Sequence, residues 1–252
     1  MKLCSPSQHL LIPGSCFVLK MGEEFNSVCN EISILNEFWS SNCSYLLEIV
    51  CSPSGGQQLG IVPCGKPIEF REVQSVSCKI VTQLMDSLEF LHNLGIVHRD
   101  IHPSNLILHS SKSGDSLVII DYENAVLVEE VSNRVDYFGG YISWPIKLLK
   151  SNDSIYIPRA EDDLFASILV VCICYIPTAF QFILCIKDRN SWFRWTISTN
   201  KIMGGHWEAN GMEVILEVAK ERDYSTLKGM EDFFLSCFLK FSCYILNISC
   251  LG

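Results

Sequence analysis

Hydrophobic positions along this chain change their spacing several times, and each change marks an element. Cys16-Phe17-Val18-Leu19-Lys20-Met21 alternates as a half-buried strand does, with Lys20 projecting from it. Phe25, Val28, Ile32 and Leu35 then recur at three- and four-residue intervals, the spacing of one helical face, and Glu31 falls on a neighbouring face. Two strands are predicted from Tyr45 to Val50 and from Leu59 to Pro63, separated by the turn-rich Ser52-Pro53-Ser54-Gly55-Gly56. Cys64-Gly65-Lys66-Pro67 reads as a short linker. From Val73 to Leu94 a long amphipathic stripe follows (Val73, Val76, Ile80, Leu84, Leu88 and Leu91), and Asn93 to Gly95 stops it. The predicted order is therefore strand, helix, two strands, linker and long helix.

Two later runs lose the alternation. Leu164 to Ile186 is almost wholly apolar and long enough to span a membrane, but Pro177 and Gln181 interrupt it, and Asp162, Asp163 and Lys187 flank it. Buried core is the favoured reading there, with membrane association not favoured. Phe233 to Leu251 is broken by Lys240 and Asn247, and final-helix core, a membrane-associating end and an irregular terminus all remain open.

Composition narrows the picture. The 252 residues suit one domain or a two-lobed one, and 48% hydrophobic against 19% charged residues argues against a disordered chain. A formal net charge of -9 argues against a nucleic-acid-binding surface, which needs clustered Lys and Arg. Thirteen cysteines form no Cys-x-x-Cys pair, and the nearest pair, Cys172 and Cys174, lies inside an apolar run. That scatter suits reduced thiols acting as small hydrophobes. With no signal-peptide pattern in Met1-Lys2-Leu3-Cys4-Ser5-Pro6, the expectation is a cytoplasmic chain.

The chemistry-bearing residues lie in the middle. Gly95-Ile96-Val97-His98-Arg99-Asp100 continues through Ile101-His102-Pro103-Ser104 to Asn105, and an apolar run, Leu106-Ile107-Leu108, follows. Farther on, Val118-Ile119-Ile120 delivers Asp121 into a turn with Tyr122 and Glu123. A carboxylate, an amide and a second carboxylate at this spacing are what phosphoryl transfer from Mg-ATP requires. The pair of segments resembles the catalytic and metal-binding loops of the protein-kinase superfamily.

The resemblance implies an α+β, bilobal fold in one domain over 1–252, with a truncated, small β-rich N-lobe to residue 63 that lacks the strand of the glycine-rich loop, a hinge at 64–68 and a mainly helical C-lobe at 69–252. It implies ATP and Mg²⁺ as cofactors and a Ser/Thr hydroxyl of a protein as acceptor. Asp100 would accept the proton of that hydroxyl, and Asn105 and Asp121 would hold Mg²⁺. Lys20 would contact the phosphates, held by Glu31. His98 would support the loop, and Arg99 would be a partner for a phosphate on the activation segment. That segment would run from Asp121 to Gly139-Gly140-Tyr141-Ile142-Ser143-Trp144-Pro145, with Ile146 where the family carries Glu. Asp163 would accept backbone N–H bonds from the catalytic loop.

Three positions depart from the pattern. No glycine-rich loop precedes Lys20, where only Gly14 occurs. Glu123 replaces the glycine that follows the metal carboxylate by two, adding charge and removing φ freedom. His102 stands where protein Ser/Thr kinases carry a Lys facing the γ-phosphate. His102-Pro103-x-Asn105 and Asp121-Tyr122-Glu123 also resemble aminoglycoside and choline phosphotransferases, whose acceptors are small molecules. A protein kinase is the leading expectation, with a non-catalytic pseudokinase module or a small-molecule phosphotransferase as alternatives.

Overall fold

The computed structural model describes residues 8–11, 17–21, 25–38, 47–51, 58–68, 80–112, 114–129, 134–140, 143–145, 148, 154–175 and 217–229. Within them the protein is an α+β structure. An antiparallel sheet is built from β1 (Gln8–Leu11), β2 (Val18–Met21), β3 (Glu48–Cys51) and β4 (Gln58–Val62) in the order β1-β2-β4-β3. Lys20 sits at its centre, opposite His9 on one side and Leu59 on the other. Strand β1 stands ahead of the Lys20 strand, where the sequence predicts a lobe lacking the glycine-rich-loop strand: Gln8-His9-Leu10-Leu11 lacks alternation, and pairing with β2 makes it a strand.

Helix α1 (Phe25–Phe38) buries Val28, Glu31, Ile34 and Leu35. Glu31 therefore lies in the middle of the inward face and not beside it, while Ile32 is only half-buried. A carboxylate is tolerated there because Lys20 faces it across the interior, as described below.

The segment read as a linker also pairs: β5 (Lys66–Pro67) runs antiparallel to β7 (Leu106–Ser111), with Lys66 opposite Leu108. β7 and β8 (Gly114–Ile119) form a hairpin in which Leu106 faces Ile119. Helix α2 (Ile80–Asn93) packs behind it through Ile80, Val81, Leu84, Met85, Leu88 and Leu91, and the Gln83 side chain accepts the Leu117 N–H at 2.8 Å. Val73 and Val76, read as the start of this stripe, lie outside the described residues. Gly95 closes the helix with φ 75, a left-handed conformation suited to glycine, and its N–H bonds the His92 carbonyl.

Short β6 (Ile96–Val97) then pairs with β9 (Val126–Leu127), and β10 (Val135–Asp136) pairs with β11 (Ile155–Tyr156). Helix α3 (Ala160–Tyr175) carries the first half of the long apolar run, and Leu164, Phe165, Ala166, Ile168, Val170 and Val171 are buried in it. That is buried core as expected; residues 176–186 and the tail at 233–251 lie outside the described residues. Among the described residues no helix is long and apolar enough to cross a membrane. Helix α4 (Tyr224–Gly229) rests on α2, where Lys228 bridges Asp86 and Glu89 at 2.7 and 2.5 Å. One continuous apolar cluster runs from Val28 and Leu35 through Leu59, Leu88 and Leu106 to Leu164 and Leu227. Cys29 and Cys64, the described cysteines with free thiols, form no bridge.

Candidate active site

The β7–β8 hairpin brings the loop residues together. A 3-10 turn, Pro103–Asn105, leads into β7, and Ile120 N donates to the Asn105 carbonyl at 2.9 Å. Asn105 and Asp121 therefore leave the open end of the hairpin side by side. The Asn105 amide donates to the Asp100 carbonyl at 2.9 Å and lies 3.4 Å from Asp100 Oδ2. Its side-chain oxygen takes no hydrogen bond among the described residues.

Lys20 reaches this group from the sheet. Its Nζ is 2.5 Å from Glu31 Oε2, 2.6 Å from Asp121 Oδ1 and 3.5 Å from Glu123 Oε2. Lys20 and Glu31 are both essentially inaccessible, at 1% and 0% exposure, so each is the other's necessary counter-charge. Burial opposes the Lys20 charge, but Glu31 and Asp121 outweigh it and hold the ammonium above its ordinary range. Burial lifts the Glu31 carboxyl above the ordinary carboxylate range, with Lys20 opposing it.

Asp121 itself takes a left-handed backbone, φ 68 and ψ 69, at the entry to a second 3-10 turn, Tyr122–Asn124. Aspartate tolerates this conformation better than most residues, although it remains costly. Two neighbours on α1 hold the turn in place. Glu31 Oε1 accepts the Tyr122 N–H at 3.1 Å, and the Asn30 amide donates to the Glu123 carbonyl at 2.7 Å and the Ala125 carbonyl at 3.0 Å.

Asp100 is set by contacts on both oxygens. Oδ1 accepts the Gly140 N–H at 2.9 Å and the Ser143 hydroxyl at 3.1 Å, and Oδ2 lies 3.5 Å from His102 Nε2. Burial raises the carboxyl, but His102, the Gly140 N–H and His98 outweigh it and hold Asp100 below the usual aspartate range. The structure turns His102 toward Asp100. Gly139 makes this approach possible: a Cβ there would stand 2.7 Å from the Arg99 carbonyl oxygen and collide with the Tyr137 hydroxyl.

Behind the loop, Asp163 Oδ2 accepts the His98 N–H at 2.7 Å and Oδ1 accepts the Arg99 N–H at 2.8 Å. His98 is fully buried, its Nε2 against the Ile120 carbonyl at 3.1 Å and its ring edge-on to Tyr122. Burial depresses its pKa below the ordinary 6.5 despite Asp163, Asp100 and Asp121 nearby. Arg99, with φ 70, uses each of its three side-chain nitrogens inside the protein: Nε to the Tyr156 hydroxyl at 3.1 Å, Nη1 to the Asn124 carbonyl at 3.0 Å, and Nη2 to the Asp136 carbonyl.

A cleft of about 720 Å³ opens beside Lys20 and Asp121. Val18, Leu47, Ile61, Ile107 and Leu108 give it apolar walls, and residues 63–67 close its far side. Apolar walls thus run beside an ammonium and carboxylates at Lys20, Glu31 and Asp121, and Lys66, His109, Ser110 and Asp115 add further polar lining. Among the described residues, no group of three or more His, Cys, Asp or Glu side chains is arranged to hold a metal ion. Asn105 and Asp121 offer two oxygen donors. That set suits a hard cation that keeps water and phosphate oxygens in its remaining positions.

The sequence reading did not find Asn30, Ser143, His92 or Tyr224. Each acts across a long separation, and although Ser143 lies within the Gly139–Pro145 run, nothing local in the sequence signals its bond to Asp100 or the contacts of the other three.

The fold and this loop arrangement define a phosphotransferase-like class of protein. Residues 19–144, half of the chain, match the protein kinase domain, and the chain belongs to that family. It is 44% identical over 74 residues to "Probable serine/threonine-protein kinase fhkB" of Dictyostelium discoideum, covering 29% of this chain and 6% of that protein. It is 58% identical over 33 residues to the serine/threonine-protein kinase csk1 of Schizosaccharomyces pombe, covering 13% and 11%. Over 76 residues it is 32% identical to the calcium/calmodulin-dependent protein kinase type II of Caenorhabditis elegans, covering 29% and 10%. The chain spans a small fraction of the length of these relatives.

Proposed function

We propose that this chain transfers the γ-phosphate of Mg-ATP to a Ser or Thr hydroxyl of a protein. The observation that carries the reading is the convergence of Lys20, Glu31 and Asp121 at one end of a cleft, with Asp100 and Asn105 on the adjoining loop. In this reading the sheet and α1 form the smaller lobe, residues 64–68 are the hinge over which a base lies, and the rest is the larger lobe. Lys20 binds phosphate oxygens. Asn105 and Asp121 would hold Mg²⁺, which would neutralise phosphate charge when bound. Asp100, kept ionised by its surroundings, accepts the hydrogen bond of the incoming hydroxyl and orients it. The serine/threonine kinase names of the relatives support the acceptor class, and we place the protein in the cytoplasm.

A second reading, a small-molecule phosphotransferase, draws on Glu123, whose carboxylate lies 3.5 Å from Lys20 where a protein kinase has glycine. One experiment separates the two. Folded protein is incubated with Mg-ATP and either a mixed protein substrate or a panel of amino-alcohols, sugars and aminoglycosides, and labelled phosphate is traced. Label on Ser or Thr that is lost in Asp100→Asn and Asp121→Ala is the expected result. Label on a small acceptor alone would establish the second reading. No transfer to either acceptor, with no Mg-ATP-dependent rise in melting temperature, would refute both.

A further inference from the structure

Helix α4 lies beyond the stretch that matches the protein kinase domain, and one of its side chains reaches the catalytic-loop candidate through a buried relay. Tyr224 Oη is 2.5 Å from His92 Nδ1, and His92 Nε2 is 3.1 Å from Asp163 Oδ2. Asp163 in turn holds the His98 and Arg99 N–H groups at 2.7 and 2.8 Å, immediately before Asp100. The His92 and Asp163 side chains are each 2% exposed, so water does not replace the contact between them.

With His92 neutral, the chemistry of the donors gives this relay one direction. An ionised carboxylate only accepts, so His92 Nε2 must carry a proton. In a neutral imidazole Nδ1 is then an acceptor, and the hydrogen between it and Tyr224 comes from the phenol. We infer that Tyr224 is a positioning residue for the catalytic loop: Asp163 requires the Nε2–H tautomer of His92, and the Tyr224 hydroxyl pins the opposite ring nitrogen, so the imidazole is held in the orientation that sets Asp163 against the His98 and Arg99 amides. Without the phenol, His92 keeps the Nε2–H form that Asp163 demands, but Nδ1 loses its hydrogen-bond donor and the ring loses the contact that fixes its orientation. The helix itself does not depend on this hydroxyl, because Lys228 anchors α4 to Asp86 and Glu89 independently.

The link to catalysis rests on the proposed role of Asp100; the tautomer and the loop contacts do not. The test is therefore read first without activity. In ¹⁵N-labelled full-length protein at neutral pH, long-range ¹H–¹⁵N correlations report the protonation of each His92 nitrogen. The wild type should show the neutral Nε2–H form. Tyr224→Phe should keep Nε2–H but shift the Nδ1 resonance, as expected for a nitrogen that has lost its donor, with amide exchange at His98 and Arg99 about fivefold to tenfold faster, as expected for one weakened hydrogen-bonded link. Given transfer activity in the wild type, Tyr224→Phe should lower kcat with KM for ATP unchanged. An Nδ1–H or imidazolium form in the wild type overturns the inference without any variant. So does an unchanged His92 signature or unchanged exchange in a folded Tyr224→Phe protein. Absence of transfer by a wild-type protein with the expected His92 signature would overturn the proposed function and leave the relay standing.

Discussion

Lys20 Nζ and Asp121 Oδ1, separated by 101 positions in the sequence, stand 2.6 Å apart. That single contact joins the centre of the four-stranded sheet to the end of the β7–β8 hairpin, and Glu31 completes it from α1. The ammonium is the only described cation among three carboxylates, so removing it leaves Glu31 buried with uncompensated charge.

Lys20→Met should therefore cost about 3–5 kcal/mol of stability, the range for breaking one side of a buried pair. Adding Glu31→Gln should restore a good part of the loss, because the carboxylate is then neutral and can still accept the Tyr122 N–H. Urea unfolding of the two variants checks this, and equal stability of the single and double variants would contradict it.

Asn30 donates two hydrogen bonds to one turn, at the Glu123 and Ala125 carbonyls. Asn30→Ala should cost about 1 kcal/mol, since water reaches part of this contact and replaces some of what is lost. Asn30→Asp should be worse than alanine, because a carboxylate has no donor and would face two carbonyl oxygens. Thermal melts of the pair decide the matter through the order of the two variants.

His98 provides the pH dependence. Its folded pKa is depressed below 6.5, so as the medium acidifies the unfolded chain takes up a proton that the native protein refuses. Its contribution is fully present above pH 6.5 and is lost as pH falls below that value, at a slope approaching about 1.4 kcal/mol per pH unit. His98→Gln, which keeps a side-chain donor for the Ile120 carbonyl, should flatten this limb between pH 6.5 and 5 in denaturant titrations. A variant with the wild-type slope would show that the proton goes elsewhere.

Gly139→Ala should strain the approach of the activation segment to the loop, because the added methyl lies 2.7 Å from the Arg99 carbonyl oxygen. A loss of about 1–3 kcal/mol is expected for this overpacking. Because the Gly140 N–H beside it bonds Asp100, any transfer rate should fall with it. Melting temperature and kcat measured together check both parts.

The sequence made some of this architecture legible and hid the rest for physical reasons. The α2 stripe from Ile80 to Leu91 was visible because a helix buried on one side repeats every three or four residues. The spacing of Asp100, Asn105 and Asp121 was visible because a tight turn and a hairpin convert spacing directly into position. Glu31 was read beside the buried face because a carboxylate carries no apolar signal, and the counter-charge that explains it lies on another strand. Strand β1 and the Lys66–Pro67 strand depend on partners distant in sequence. Asn30, Ser143 and the His92–Tyr224 contact are long-range hydrogen bonds, for which no periodicity exists.

The guanidinium of Arg99 has one more implication. It lies 5.5 Å above the Tyr156 ring and also bonds that residue's hydroxyl and two carbonyls on separate segments. Neutral groups thus already satisfy the cation that the family resemblance assigns to an incoming phosphoryl modification. A phosphorylated side chain docking there would have to displace the Asn124 and Asp136 carbonyls from a guanidinium on a residue only 6% exposed. Asn124, Asp136 and Tyr156 are consequently drawn to one side chain by the unmodified polypeptide, with no added phosphate needed to form those tethers.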